Sequence, residues 1–294
     1  MTDAIIRDLG EGLIIRHPTS EDAEALAKFN KEIHSEDEWD AKGLEDWTLD
    51  LISGESPTVG LGDFTLVEDT RTGEIVSSCC LISQTWSYEG IPFKVGRPEL
   101  VGTKKAFRRR GLVRQQMDIL HQWSEARGQL VQAITGIPYY YRQFGYEMVL
   151  NLGGGRSGYK THVPKLNGDQ EEPFTFREAD KADIPFLMDT YNHGCQRSLV
   201  YAVWNKHLWR YELTGKRQYN LDKRDLYIIE DVAGQPVGFI GIPPLKWGSN
   251  SVLMVYELAT GFSWSAITPS VIRFLWQIGE KLSEAQNHPK SGLG

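Results

Sequence analysis

The chain has 294 residues, 40% hydrophobic and 24% charged, with a formal net charge of -7. That balance excludes a disordered or collagen-like protein and suits two domains of about 150 residues each. No run of about 18 apolar residues occurs, so no membrane span is expected. Asp3, Arg7, Asp8 and Glu11 interrupt the stretch where an export signal needs apolar residues. Three cysteines, with Cys79 and Cys80 adjacent, form neither a disulfide framework nor a zinc-ligand pattern, so a reducing cytoplasm and no metal are expected. Net acidity speaks against nucleic-acid binding unless the basic residues are concentrated in one place.

The elements read as mixed α/β. Thr19, Ser20 and Asp22 supply a helix start before Leu26, Phe29 and Ile33, which share one helical face. Strand-like runs follow at Phe64 to Val67 and Ile75 to Ile82, joined by a turn at Thr70 to Gly73. A short strand, Glu99 to Thr103, leads into a basic stretch. Val113, Met117 and Leu120 then mark a helix that Gly128 closes, and Leu130 to Thr135 resumes as a strand. Gly153-Gly154-Gly155, Pro164 and the polar run Asn167 to Glu172 read as the end of a domain and a linker.

Beyond that linker the opening is echoed. A constant offset of 161 residues relates Arg16 to Arg177, Asp22 to Asp183 and Leu26 to Leu187. Leu66-Val67-Glu68-Asp69 is matched by Ile228-Ile229-Glu230-Asp231, and Glu99-Leu100 by Glu257-Leu258. A repeat of domain length predicts a duplicated fold rather than a solenoid.

Lys104, Lys105, Arg108, Arg109, Arg110 and Arg114 fall within eleven positions that hold no acid, and Gly111 stands among them. A glycine between a strand and a helix leaves free N–H groups and the positive end of the helix dipole for a phosphate. The stretch from Val101-Gly102-Thr103 to Arg108-Arg109-Arg110-Gly111-Leu112-Val113-Arg114 resembles the pyrophosphate loop of the GNAT superfamily of acyl-CoA N-acyltransferases. Arg108 and Gly111 match its Gln/Arg-x-x-Gly marks, and Val113 stands where the family carries Gly or Ala. Tyr141-Arg142-Gln143-Phe144-Gly145-Tyr146 resembles the family's Tyr-x-x-x-Gly-(Phe/Tyr) element. A tandem arrangement with Arg-Arg-Gly-Leu is similar to the enhanced-intracellular-survival branch, without its third domain.

The resemblance implies an α/β (mixed α+β) GNAT fold, a central mixed twisted sheet flanked by helices, duplicated, with residues 1–165 catalytic and 173–294 a degenerate copy. It implies transfer of acetyl from acetyl-CoA to the primary amine of a small molecule or peptide by direct attack, without metal. Val101, Thr103, Arg108, Arg109, Arg110, Gly111, Leu112 and Val113 would hold the cofactor, and Tyr141 would protonate the departing thiolate. Tyr139 and Tyr140 read as core or cleft wall. Glu99 is the candidate base: regular alternation puts it on one face with Val101 and Thr103, and the bland alternative is a strand carboxylate paired with an arginine. Relatives carry their glutamate two positions earlier, at Arg97 here. In the acidic stretch, Glu36, Asp37, Glu38 and Trp39 would attract and cover a cationic acceptor; the alternative is a solvated helix end. The rival function is a GNAT-fold module that binds acyl-CoA or a partner without catalysis. The oligomeric state is left open.

Overall fold

The computed structural model describes residues 5–137, 139–150, 155–285 and 292–293. It divides into two compact units, Met1–Leu152 with Leu199–Val203, and Gly153–Ser198 with Trp204–Gly294. Gly153 and Gly154 of the expected boundary lie outside the described residues.

The first unit is a mixed sheet in the order β1 (Ile5–Gly10), β2 (Leu13–Arg16), β3 (Phe64–Asp69), β4 (Glu74–Tyr88), β5 (Ile91–Thr103), β6 (Val131–Gln132). Among the described residues of this sheet, β5 and β6 alone pair in parallel. Helices α1 (Ala23–His34), α2 (Glu38–Ile52) and α3 (Leu112–Ala126) cover it. This is the mixed, helix-flanked sheet that the sequence implies.

The spacing of apolar residues explains α1 and α3. Leu26, Ala27 and Phe29 form the buried stripe of α1, and Leu112, Met117, Ile119 and Leu120 that of α3. Helix α2 is absent from the sequence reading because its buried face carries Asp46, Thr48 and Asp50, which mask the apolar period. Lys42 offsets one of them through an ion pair of 2.9 Å to Asp46. The strand expected from Leu130 to Thr135 is ordered as a ladder only at Val131–Gln132.

A charged clasp fixes the start of α1. The Arg16 guanidinium donates to both Asp22 carboxylate oxygens at 2.7 and 2.8 Å, and its Nε to Glu68 of β3 at 2.6 Å. Asp22 also accepts from the Thr19 N–H at 2.7 Å. Burial by itself would raise the Asp22 carboxyl; the guanidinium and the Thr19 N–H outweigh it and hold the group below its ordinary value.

The second unit repeats this construction. Strands β7 (Phe174–Glu178), β9 (Asp225–Asp231), β10 (Pro236–Ile242) and β12 (Val255–Leu258) form an antiparallel sheet in the order β12-β10-β9-β7. It is accompanied by α4 (Ile184–Cys195), α5 (Lys206–Thr214) and α6 (Trp264–Ala285). Asn250–Ser251 (β11) and Gly292–Leu293 (β13) form a short parallel ribbon. Between α4 and α5, Val200–Ala202 (β8) joins the first unit's sheet beside Trp86–Tyr88. Arg177 grips Asp183 through two bonds of 2.7 Å and Glu230 through one of 2.7 Å. The residues matched between the two halves of the sequence therefore make the same three-way contact.

The pairing register does not extend the match to Glu257. Val67 pairs with Ser77 and Ile229 with Gly238, at the same bulge in both units. Counting on, Phe239 answers Ser78, and it pairs with Glu257, whereas Ser78 pairs with Gly102. Glu257 thus corresponds to Gly102, not to Glu99.

Two outcomes test the clasp by urea unfolding. Side-chain exposure is 9% at Arg16 and 40% at Arg177. Arg16→Met strands two carboxylates and is expected to cost about 3 kcal/mol, and Arg177→Met about 1 kcal/mol. Because the folded state holds Asp22 below its unfolded value, the stabilisation it gives is complete above about pH 4 and lost as pH falls through the folded value. Asp22→Asn should flatten the loss of stability below pH ~4.

Candidate active site

The site grows from a fault in β5. Ser78 pairs with Gly102 and Cys80 with Glu99, so Cys79 alone faces both Leu100 and Val101. This is a β-bulge, and Leu100 adopts φ +53° within it. One extra residue reverses the alternation of faces. Before the bulge, Gly96 lies against Ser124 of α3, so Arg97 and Glu99 face α1. After it, Gly102 lies against Ile33 and His34 of α1, and Val101 packs with Met117 and Leu120 of α3.

The expected common face of Glu99, Val101 and Thr103 is therefore corrected: Glu99 faces α1, and Val101 and Thr103 face α3. Glu99 is buried and ion-paired with Arg97. No strand signal revealed this, although a glycine inside a strand, Gly102, is the local sign of a bulge or a close approach.

The bulge coincides with an opening of the sheet. β5 and β6 pair only at Val95–Val131 and Gly96–Gln132, with one further bond of 2.9 Å from the Ala133 N–H to the Gly96 carbonyl. Among the described residues no ladder joins them beyond that. The Lys104 N–H reaches back to the Val76 carbonyl at 2.9 Å, so Lys104 and Gly102 address β4. Alternation then turns the main-chain groups of Val101 and Thr103 to the open edge.

The basic stretch follows directly. Lys105–Phe107 forms one 3-10 turn, Arg109 has φ +64°, and Gly111 has φ +74° as the N-cap of α3. A Cβ on Gly111 would meet nothing within 4 Å, so the backbone faces open space. The Gln115 N–H returns to the Gly111 carbonyl at 3.1 Å, and the N–H groups of Leu112, Val113 and Arg114 precede that first helical bond. Arg108, Arg109 and Arg110 are exposed and form no ion pair among the described residues. Asp69 lies within electrostatic reach of Arg110. Lys104, by contrast, is committed to Glu74 at 2.5 Å. Val113 packs against the apolar cluster of Cys79, Leu81, Met117 and Leu120, so its side chain leaves the mouth of the loop free.

Gln116 locks α3 in place, and the sequence reading passed over it. Wholly buried, it donates to the Thr65 carbonyl at 3.1 Å and its Oε1 lies 2.7 Å from the Ser77 hydroxyl. That hydroxyl is also 2.7 Å from the Gly102 carbonyl and 2.8 Å from the Thr103 hydroxyl. The helix that opens the basic loop is thus hydrogen-bonded to the strand beside the bulge.

Tyr141 begins a 3-10 turn, Tyr141–Phe144, closed by Gly145 at φ +90°. The turn sits on the α3 side: Phe144 and Tyr146 pack on the same apolar cluster as Val101 and Val113. Arg114 ties it to α3, donating to Gln143 at 2.8 Å with its guanidinium 5.2 Å from the Phe144 ring. Tyr146 and His121 bond at 2.9 Å. The Tyr141 ring lies against Gly136, where a side chain would collide with it. Burial pushes its phenol well above the ordinary value, with Cys79, Tyr140 and Glu99 adding to the effect. It is therefore protonated at neutral pH, and its hydroxyl has no hydrogen-bond partner among the described residues. Tyr139 is 79% exposed, which corrects the expectation of a core or wall residue.

The acidic stretch is the join of α1 and α2. Asp37 is the N-cap of α2, accepting from the Trp39 and Asp40 N–H groups at 2.8 Å. Glu36 and Glu38 are exposed beside it and Trp39 is half-buried. No group of three or more His, Cys, Asp or Glu able to hold a metal occurs among the described residues, and no helix there is long and apolar enough to cross a membrane.

Residues 15–149 match the acetyltransferase (GNAT) domain family. No curated protein matches the chain. Several solved structures share its fold. Saccharomyces cerevisiae N-myristoyltransferase with bound myristoyl-CoA aligns at 14% identity and a TM-score of 0.63, over 98% of this chain and 73% of that one. A conserved Enterococcus faecalis V583 protein, described as a probable N-acyltransferase, aligns at 10% identity and 0.58, over 96% and 64%. A GCN5-related N-acetyltransferase from Anabaena variabilis ATCC 29413 aligns at 15% identity and 0.58, also over 96% and 64%. The chain spans about 64% of the length of the last two. At these identities the likeness is one of fold, and the mixed, helix-flanked sheet of the first unit is consistent with the GNAT fold whose family model matches residues 15–149.

If Gly111 faces a bound pyrophosphate, Gly111→Asp should abolish CoA binding without unfolding the chain. Aspartate tolerates positive φ at a cost of about 1 kcal/mol, and its carboxylate enters the open space where the anion would lie. A CoA affinity loss of at least about 100-fold is expected by titration calorimetry. A folded variant with wild-type affinity would remove the phosphate assignment.

Proposed function

We propose that the first unit is an N-acyltransferase that moves an acetyl group from acetyl-CoA to a primary amine by direct attack within a ternary complex. One observation carries the reading: the bulged edge of β5 that β6 leaves runs directly into an exposed basic loop, and the turn that begins with Tyr141 packs on the same apolar cluster as Val101 and Val113. The main-chain groups of Val101 and the Thr103 N–H suit the amide-bearing pantetheine arm, which can add to a strand edge as a further strand would, while the Thr103 carbonyl accepts from Arg108 Nε at 3.3 Å. The N–H groups of Leu112, Val113 and Gly111, with Arg108, Arg109 and Arg110 around them, suit the pyrophosphate. Tyr141 supplies the proton for the departing thiolate, and main-chain donors at the bulge polarise the thioester carbonyl.

The acceptor is placed on the α1 face. Glu36 and Glu38, with Trp39 beside them, favour a cationic amine such as a polyamine, an aminoglycoside or a lysine-bearing peptide. Asp37 serves first as a helix cap. We read the second unit as a decayed copy that has kept the clasp and lost the loop: β12 and α6 are joined by Ala259-Thr260-Gly261-Phe262-Ser263, with no Arg-x-x-Gly. Three free, buried cysteines suit a reducing compartment, and we place the activity in the cytoplasm.

Free-thiol release from acetyl-CoA and longer acyl-CoAs, across amines, peptides and aminoglycosides, tests the reading. CoA at 100 times its dissociation constant should add about 2.7 kcal/mol of stability. Thiol release without stabilisation by CoA, or stabilisation without release from any donor and amine, would remove the transferase reading; the latter leaves the binding module. Tyr141→Phe should lower kcat by about 100-fold or more while the KM for acetyl-CoA stays within about threefold. Glu36→Gln with Glu38→Gln, which spares the Asp37 cap, should raise the KM for a cationic acceptor only, with the effect fading as salt screens the charges over roughly 8 Å. Unchanged kinetics at low salt would reduce the stretch to a helix junction.

A further inference from the structure

The basic loop is stapled at its base by side chains that the reading above leaves without a task. The loop leaves β5 at Thr103 and ends where α3 begins at Leu112. Ser77 of β4 pairs directly with Thr103, so both side chains lie on the α3 face of the sheet. The wholly buried Ser77 hydroxyl stands 2.7 Å from Oε1 of Gln116, which lies one helical turn into α3. It is also 2.7 Å from the Gly102 carbonyl and 2.8 Å from the Thr103 hydroxyl. One hydroxyl thus touches the strand that enters the loop and the helix that leaves it.

Hydrogen supply fixes the direction of these bonds. Gln116 Nε2 faces the Thr65 carbonyl at 3.1 Å, a group that can only accept, so Oε1 faces Ser77 and takes its hydrogen from there. Ser77 has one hydrogen for two acceptors, Oε1 and the Gly102 carbonyl, and the Thr103 hydroxyl donates to the Ser77 oxygen. The chain continues into the loop, because the Thr103 carbonyl accepts from Arg108 Nε at 3.3 Å. It also reaches the bulge. Gln116 Nε2 lies 3.0 Å from the Thr65 hydroxyl, which donates at 3.3 Å to the carbonyl of Cys79, the residue opposite Leu100 and Val101.

The second unit separates this staple from the needs of the fold. Ile229 pairs with Gly238 as Val67 pairs with Ser77, so Gly238 stands for Ser77 and its partner Leu258 for Thr103. That pair carries no hydroxyl, and a Cβ on Gly238 would come within 2.6 Å of the Leu258 side chain. Leu258 shares an apolar cluster with Ile267 and Val271 of α6, so the contact at this pair is apolar. The link that follows, Ala259 to Ser263, has no basic residue. The arginine clasp is present in both units, whereas the hydroxyl pair accompanies the basic loop. A buried polar chain with its bonds made specifies one spacing more sharply than apolar contact does, and a loop held at both ends pays less ordering when a ligand binds.

We propose that Ser77 is the positioning residue of the basic loop: its hydroxyl holds the entry strand and the exit helix at the spacing in which Arg108 and the main chain of Gly111 to Val113 receive the CoA pyrophosphate. The inference rests on the transferase reading, which assigns that loop to CoA. Without the staple the ligand itself has to order the loop, so affinity falls while the chemistry at the thioester is untouched.

The test uses the full chain, with CoA affinity read by titration calorimetry, stability by urea unfolding and turnover by thiol release. Ser77→Ala should weaken CoA at least about tenfold and raise the KM for acetyl-CoA in step, with kcat within about threefold. It also strands Gln116 Oε1 and loses stability. Ser77→Ala combined with Gln116→Met removes both partners; stability should return toward the wild type while CoA affinity stays at least about tenfold down. Thr103→Val, which keeps the shape and strands no buried acceptor, should weaken CoA about threefold, and Thr103→Ser should not. Wild-type CoA affinity in the double variant, or a Thr103→Val chain that binds CoA as Thr103→Ser does, overturns the staple while the transferase reading stands. A wild type that binds no CoA overturns both.

Discussion

A β-bulge costs a ladder hydrogen bond and here forces a leucine to positive φ, a conformation that side chains disfavour by about 1–2 kcal/mol. The rest of the first unit is arranged around that cost. Leu100 buries its side chain, and Gly102 lets α1 come down onto the strand. In return the strand changes faces in midcourse. Side chains before the bulge address α1, those after it address α3, and the main chain of Val101 and Thr103 is turned to an edge that β6 has left.

Such an edge is a liability unless something occupies it. Its surroundings suit a long anionic ligand rather than another strand. The loop beyond it concentrates exposed arginine charge at a helix N-terminus, and the helix is held by a buried glutamine rather than by apolar contacts alone. A buried amide whose bonds are all made specifies one position for the helix, which a greasy interface does less sharply. The same economy applies to Tyr141. Its ring rests on a glycine, its turn is pinned by Arg114 and Tyr146, and its hydroxyl remains uncommitted.

The two units separate what the fold needs from what the site needs. Arg16 with Asp22 and Glu68, and Arg177 with Asp183 and Glu230, tie the first helix of each unit to its sheet in the same way. The second unit then runs a regular ladder where the first has its bulge, and places a carboxylate where the first has glycine. A carboxylate and an unbroken strand close the space that an acyl-CoA edge would use.

Much of this was legible along the chain because it depends on neighbours in sequence. The Arg108 to Gly111 loop, the Tyr141 turn, α1, α3 and the offset between the clasps are local patterns of charge, glycine and period, and local stereochemistry is enough to raise them. What escaped was whatever depends on pairing. The face of Glu99 is set by how many residues of β5 oppose Cys79, a count that belongs to two strands and not to one. Helix α2 hid behind acids that only its packing makes tolerable, and Glu257 seemed to match Glu99 until the register moved it to Gly102. Sequence named the groups proposed to hold an acyl-CoA; tertiary structure decided which side of the strand each one faces, because a single inserted residue reverses every side chain beyond it.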